Sequence, residues 1–235
     1  MNSKGGNESN LYTMEYKQKI KLLIFDLDGT LVDTLPGIAS ALRHVMTELE
    51  CEKLGCQMPS DEFVRMNIGG GAKNLLQKAF GDKSDLLLPK ALPFYSAYYA
   101  QNAAADSSLY PGVAETLAYF AKKFRMAVFT AKARAATLLV LESFDILKYF
   151  DVVVTSDDVQ KLKPDPEGAE KILAAIGESP SKAMMVGDTH ADVAAAKNAG
   201  IVSCAVTYGY GAERILHENL YDCVVDRFES LREIV

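Results

Sequence analysis

The segment Leu23-Ile24-Phe25-Asp26-Leu27-Asp28-Gly29-Thr30-Leu31-Val32-Asp33 constrains this chain more than any other. An apolar run ends in two aspartates spaced i, i+2, and a glycine follows directly. Side chains alternate along an extended segment, so Asp26 and Asp28 are expected to leave the backbone on the same side. Two carboxylates brought together repel, which is costly unless a cation or a shared proton lies between them. Where such a run is a strand of an open α/β sheet, its carboxyl end is the edge at which these sheets bind ligands. Alone, the segment is equally a strand ending in a polar turn, and the rest of the chain has to decide.

From Tyr110 onward, helical and strand signals alternate. Pro111-Gly112 opens a helix through Val113, Leu117, Phe120 and Ala121. Apolar runs at 126–130, 151–155, 183–187, 202–207 and 223–226 read as strands, with helices through Leu138, Leu141 and Phe144, after Asp165-Pro166, and over 191–199. Continuous apolar strands separated by helices are the pattern of a doubly wound, mainly parallel α/β sheet, and the strand at 21–27 belongs to it. Residues 36–106 differ: Ile38, Leu42, Met46 and Leu49 form one helical stripe, Leu75, Leu76, Ala79 and Phe80 a second, and Leu92, Tyr95 and Tyr99 a third. The expected organisation is a tail at 1–19, a sheet domain made of 20–35 and 107–235, and an inserted all-helical domain at 36–106.

The length of 235 residues, with 49% hydrophobic and 24% charged residues, is that of a soluble globular chain with a sizeable core. A net charge of −6 argues against nucleic acid or an anionic membrane as the main partner, though not against a small anionic substrate. Residues 1–19 lack the apolar core of a secretory signal and read as a flexible tail, and no apolar run is long enough to span a bilayer. Cys51, Cys56, Cys204 and Cys223 form neither a zinc-type set nor a disulfide framework, so reduced thiols and a cytoplasmic location are expected.

Four segments end strands with groups suited to a phosphate. They are Asp26 and Asp28; Thr130-Ala131-Lys132; Lys163 within Lys161-Leu162-Lys163-Pro164-Asp165-Pro166; and Gly187-Asp188-Thr189-His190-Ala191-Asp192. Parallel strands present their carboxyl ends on one edge, so these groups are expected to converge there. Asp192 lies one helical turn beyond Asp188, on the same face. Taken singly, Asp188 and Thr189 could cap a helix, and Asp33 and Thr34 are expected to cap the first helix of the insert, with Pro36 at its start.

Together these motifs resemble the haloacid dehalogenase-like hydrolase superfamily, in its phosphoglycolate phosphatase-like branch with a helical cap inserted after the first motif. The resemblance covers nearly all of the chain from residue 20. It implies a Rossmann-like core, a cap at 36–106, and Mg²⁺-dependent hydrolysis of a small phosphorylated metabolite such as 2-phosphoglycolate. It also implies roles. Asp26 forms an aspartyl-phosphate, and Asp28 is the general acid and base. Asp26 and Asp188, with the Asp28 backbone carbonyl, bind the metal, and Asp192 stands behind it or acts through water. Lys163 neutralises charge, while Thr130 and the Ala131 N–H hold phosphate oxygens. Mg²⁺ suits a hard site of few carboxylates. Water hydrolyses phosphate monoesters so slowly that enzymes accelerate the reaction up to ~10²¹-fold, which explains why several groups must act together.

Relatives often carry Asn where this chain has Ala131, so a side-chain contact to phosphate is absent here. Asp28 favours phosphate chemistry over carbon–halogen cleavage, since the superfamily's dehalogenases lack an aspartate at that position. The loop Asn67-Ile68-Gly69-Gly70-Gly71-Ala72-Lys73 opens a helix whose start favours anions, and is expected to close over the site, with Gly70 among the substrate-specificity residues and Arg65 or Lys73 on a substrate carboxylate or second phosphate. A pyrophosphatase, a nucleotide or sugar phosphatase, or a phosphosugar mutase could use the same core. A phosphoaspartate signalling module is the alternative of another class. A monomer or homodimer is expected.

Overall fold

In chain order the strands are β1 (Leu22–Phe25), β2 (Val32–Asp33), β3 (Ser108–Leu109), β4 (Arg125–Phe129), β5 (Val152–Val154), β6 (Ala183–Gly187), β7 (Val202–Val206) and β8 (Cys223–Val225). The structure is a computed structural model and describes residues 19–103 and 105–235; of the expected tail, residues 1–18 lie outside it. Six strands form one parallel sheet in the order β5-β4-β1-β6-β7-β8. β1 is central, with Phe25 level with Val128 of β4 and Val186 of β6. One step further on stand Asp26, Phe129 and Gly187, so Thr130 and Asp188 leave the sheet beside Asp26.

The helices are α1 (Leu35–Glu48), α2 (Asp61–Asn67), α3 (Gly71–Phe80), α4 (Ser84–Asn102), α5 (Val113–Phe120), α6 (Arg134–Ser143), α7 (Glu167–Ile176), α8 (His190–Asn198), α9 (Ala212–Glu218) and α10 (Leu231–Ile234). Strand alternation sorts the core into two layers. Leu22, Ile24, Phe129 and Met185 pack with Ala169, Ile172 and Leu173 of α7 and Ala195 of α8. Leu23, Phe25, Val128 and Val186 pack on the other face with Val113, Leu117 and Phe120 of α5 and Val140 of α6. Strands buried on both faces have no reason to alternate polar and apolar residues, which is why they read as unbroken apolar runs.

The chain leaves the sheet domain through β2 and returns through β3. These pair antiparallel, Val32 with Leu109 and Asp33 with Ser108. Two-residue strands carry no period-2 signal, so sequence patterning does not reveal them. Helices α1 to α4 fill the interval. In α4 the buried stripe is Leu87, Ala91, Tyr95 and Tyr99 at four-residue spacing, with Leu92 only half-buried. The apolar faces of the insert are not isolated: Leu27, Leu31, Val32 and Leu35 join them to the sheet in one continuous cluster.

Two local expectations need correction. β1 ends at Phe25 rather than at residue 27, so Asp26 to Asp28 belong to the turn that follows. Helix α7 begins at Glu167, with Pro166 as its N-cap residue; Asp165 still accepts the Glu167 N–H, at 3.1 Å. Among the described residues no helix is long and apolar enough to cross a membrane.

Candidate active site

Asp26 sits one residue past β1, where its N–H still donates to the Val186 carbonyl at 2.9 Å. That bond holds a carboxylate at the sheet edge with only 4% of the residue exposed. Its Oδ1 accepts from Lys163 Nζ at 2.7 Å, while among the described residues Oδ2 has no partner. Lys163 comes from the loop between β5 and α7. Its other two donations go to Asp192 Oδ1 at 2.5 Å and to the Phe129 carbonyl at 3.1 Å, so all three ammonium directions are used.

Asp188 follows β6 and is fully buried. It does not cap α8. Its carboxylate accepts from the Thr30 hydroxyl at 3.0 Å and from the Tyr210 and Gly211 N–H groups at 2.7 and 3.4 Å. The capping box at the start of α8 is Thr189 with Asp192, whose Oδ2 takes the Thr189 N–H and hydroxyl at 2.9 and 2.6 Å. Asp192 therefore ties the helix start to Lys163. Gly29 makes the close approach of Asp188 feasible: its φ is +86°, and a Cβ there would lie 2.3 Å from Asp188 Oδ2.

Asp26, Asp188 and Asp192 place carboxylate oxygens within 4.8 Å of one another. The three buried carboxylates have one ammonium among them, paired with Asp26 and Asp192 but not Asp188, and the imbalance shows in their protonation. Burial, then the Asp192 charge, pushes Asp26 well above the usual carboxylate range against the pull of Lys163. Burial and Asp192 push Asp188 up to about 7, opposed by the Tyr210 N–H and the Thr30 hydroxyl. Burial opposes the Lys163 charge, but Asp192 and Asp26 outweigh it and raise its pKa. A hard divalent cation would relieve this excess, so the donor set fits a metal ion. Both Asp192 oxygens are engaged by Lys163 and the capping box, and both Asp188 oxygens by Thr30, Tyr210 and Gly211, so among the described residues Asp26 Oδ2 is the one oxygen of the three carboxylates without a partner.

Asp28 corrects the expectation of a carboxylate pair sharing one counter-charge. It has its own lysine: Lys132 Nζ lies 2.9 and 3.2 Å from its two oxygens. The Thr34 hydroxyl also donates to Asp28, at 2.6 Å. Thr34 is the N-cap residue of α1 without a side-chain cap bond, and it is Asp33 that accepts the Leu35 N–H, at 3.3 Å.

A cleft of about 200 Å³ separates this edge from the insert. Asp26, Asp28, Thr130, Ala131, Lys132 and Lys163 line the core side. Thr130 is 2% exposed and its hydroxyl accepts the Lys132 N–H at 3.2 Å. The loop Asn67–Gly71 faces the cleft through Asn67, Ile68, Gly69 and Gly71, but not Gly70. Arg65 and Lys73 depart from expectation. Both are exposed and neither lines the cleft; Arg65 sits 5.8 Å above the Tyr210 ring in a separate groove beside Thr189 and His190. His190 pairs with Glu218 at that outer groove.

Three contributors have no site role in the motif reading, although Lys132 stands within a quoted strand end. Lys132 and Thr34 hold Asp28. The Tyr210 hydroxyl takes the Thr34 and Leu35 N–H groups and donates to Asp33, while its N–H holds Asp188. The position of Lys132, two residues past Thr130 at a strand end, is the signal that could mark it. The Tyr208-Gly209-Tyr210-Gly211 turn just after β7 is the corresponding signal for Tyr210.

The fold and site define a capped α/β protein with an acidic, lysine-balanced centre at the carboxyl edge of its sheet. A sequence model described as haloacid dehalogenase-like hydrolase matches residues 23–206. A phosphoglycolate phosphatase from Nitrosospira multiformis is 35% identical over 228 residues, covering 94% of this chain and 98% of the relative. One from Salmonella typhi is 33% identical over 240 residues, covering 93% of each. The crystal structure of a protein described as a predicted phosphoglycolate phosphatase from Haemophilus somnus superposes with a TM-score of 0.81 at 28% identity, covering 92% of this chain and 98% of that one. The chain belongs to the haloacid dehalogenase-like hydrolase family, and it is an enzyme, a hydrolase.

Proposed function

We propose that the protein is a Mg²⁺-dependent phosphomonoesterase acting on a small phosphorylated metabolite, with 2-phosphoglycolate as the first candidate. The observation that carries this is the Asp26 carboxylate: buried in the cleft lining, clustered with Asp188 and Asp192, held through one oxygen by Lys163, and with its other oxygen unpaired among the described residues. Relatives named phosphoglycolate phosphatase, matched over nearly their whole length, support the choice of substrate.

Asp26 attacks phosphorus, and the ester P–O bond breaks with its electron pair going to the leaving oxygen, which takes a proton from Asp28. Water then attacks the aspartyl-phosphate and gives a proton to Asp28, and the bond to Asp26 breaks, restoring both carboxyl groups. Lys163 lowers the repulsion between Asp26 and the incoming phosphate. Thr130 and the Ala131 N–H are assigned to phosphate oxygens. Mg²⁺, held by Asp26 and Asp188 with the Asp28 carbonyl, and with Asp192 behind, would supply the positive charge that a dianionic ester needs.

The sheet portion, 20–35 with 107–235, carries the chemistry, and the insert, 36–106, selects the substrate. The free cysteines fit a reducing, cytoplasmic setting. Turnover of p-nitrophenyl phosphate with Mg²⁺, abolished by chelation and by Asp26→Asn, is the expected result; no turnover of any phosphomonoester contradicts the proposal. A panel that includes pyrophosphate, nucleotides and sugar phosphates ranks the remaining substrates by kcat/KM.

A further inference from the structure

Lys132 and Lys163 are the two cations lining the cleft, and their situations differ. Lys163 is shared between two carboxylates and a carbonyl. Lys132 has one carboxylate partner, Asp28, and its ammonium lies 4.5 Å above the Tyr99 ring. Its side chain is only 9% exposed. The same cleft is lined by the apolar Ile38, Ile68, Leu75 and Leu139 and by Tyr95. Burial opposes its charge, while Asp28 together with the Tyr99 and Tyr95 hydroxyls raises the Lys132 pKa. A buried ammonium is tolerated only while paired. Tyr99 also lines the cleft at 3% exposure, and its hydroxyl lies close enough to the Lys132 ammonium to interact with it while making no hydrogen bond of good geometry among the described residues. The two groups thus offer a joint donor pair to an anion in the cleft.

A second anionic group on a substrate in the cleft would meet the Lys132 ammonium and the Tyr99 hydroxyl beside it. We propose that Lys132, with the Tyr99 hydroxyl, is the specificity-determining site for a carboxylate carried close to the phosphate ester. The substrate class is thus a short phosphomonoester with a second anion a few bonds from the ester oxygen. Lys132 takes over the part that sequence patterning gives to Arg65 or Lys73. The proposal rests on the phosphatase assignment above.

The test compares 2-phosphoglycolate with ethyl phosphate, which replaces the carboxylate with a methyl group. The wild-type enzyme is expected to prefer 2-phosphoglycolate in kcat/KM. Lys132→Met should shrink that preference about 10- to 100-fold, the effect of losing one charged hydrogen bond, and Lys132→Arg should restore part of it. Lys163→Met should lower both substrates and leave their ratio in place. No preference in the wild type, or equal losses on both esters in Lys132→Met, overturns the proposal. Binding of 3-phosphonopropionate against propylphosphonate to the wild-type protein decides the matter without turnover and without a variant that must fold. Tighter binding of the carboxylate compound is expected, and equal binding overturns the role of Lys132. An enzyme that hydrolyses none of the esters contradicts the phosphatase assignment instead, and the phosphonate comparison still decides Lys132.

Discussion

The two walls of the cleft differ in what they bury. On the sheet side, Asp26, Lys163, Asp188 and Asp192 are all buried, and each is held by named partners. On the insert side the lining is largely apolar, with Ile38, Ile68, Leu75 and Tyr95 beside the uncharged Asn67, Ser96 and Tyr99, while the nearby charges of Arg65 and Lys73 are exposed. Asp26 Oδ2 apart, the charged groups of the sheet wall are withdrawn from water and engaged by specific partners, so that wall is intolerant of change. The insert wall is held by area and shape, which many apolar combinations can satisfy. One wall is built for a reaction, and the other for enclosing whatever undergoes it.

The largest expected effect follows from the sheet wall. Asp26→Asn should lower kcat/KM at least about 10³-fold, the scale of removing a nucleophile, with circular dichroism unchanged. Activity within a few-fold of the wild type would move the nucleophile elsewhere and break the contrast. On the insert side the expected loss is in stability. Leu76 is fully buried in α3, and Leu76→Ala should cost about 2–5 kcal/mol in denaturant unfolding. An unchanged midpoint would mean that the insert is not packed as described.

A third effect sharpens the charge imbalance of the sheet wall. Asp188 is pushed up to about 7, above its unfolded value of 3.8, so the folded chain holds a proton that the unfolded chain has lost. Its stabilising share is complete below the unfolded pKa and disappears as pH rises through about 7. A cation binds the ionised form and displaces that proton, so Mg²⁺ should raise Tm more near pH 8 than near pH 5. An equal or larger shift in acid contradicts the imbalance. The smallest effect is on the outside of the insert: Lys73→Ala should leave KM within about twofold and stability within about 0.5 kcal/mol. A clear rise in KM would return Lys73 to the cleft.

Legibility in the sequence followed the same division. The strands from β4 onward and Asp26, Lys163 and Asp188 announce themselves because a parallel sheet needs unbroken apolar runs, and their ends put reactive residues on one edge. Side-chain partners were less legible, since they depend on which loops meet. Thr34 reads as a helix cap and instead bonds Asp28, and Tyr210 reaches 176 residues back to Thr34. Lys132 stands in the quoted strand end, yet only the fold shows that its partner is Asp28, 104 residues away. Arg65 and Lys73 were plausible from their proximity to a glycine-rich loop, but helical phase turned both toward solvent while the loop backbone faced the cleft.

The most direct measurement is chemical trapping of the covalent enzyme during turnover. Rapid quenching of the enzyme with a phosphomonoester and Mg²⁺, followed by borohydride reduction and peptide mass spectrometry, should find homoserine at position 26 and at no other aspartate. Unmodified Asp26 under conditions where turnover is under way, or homoserine at another position, would contradict a phosphoryl group carried by that carboxylate.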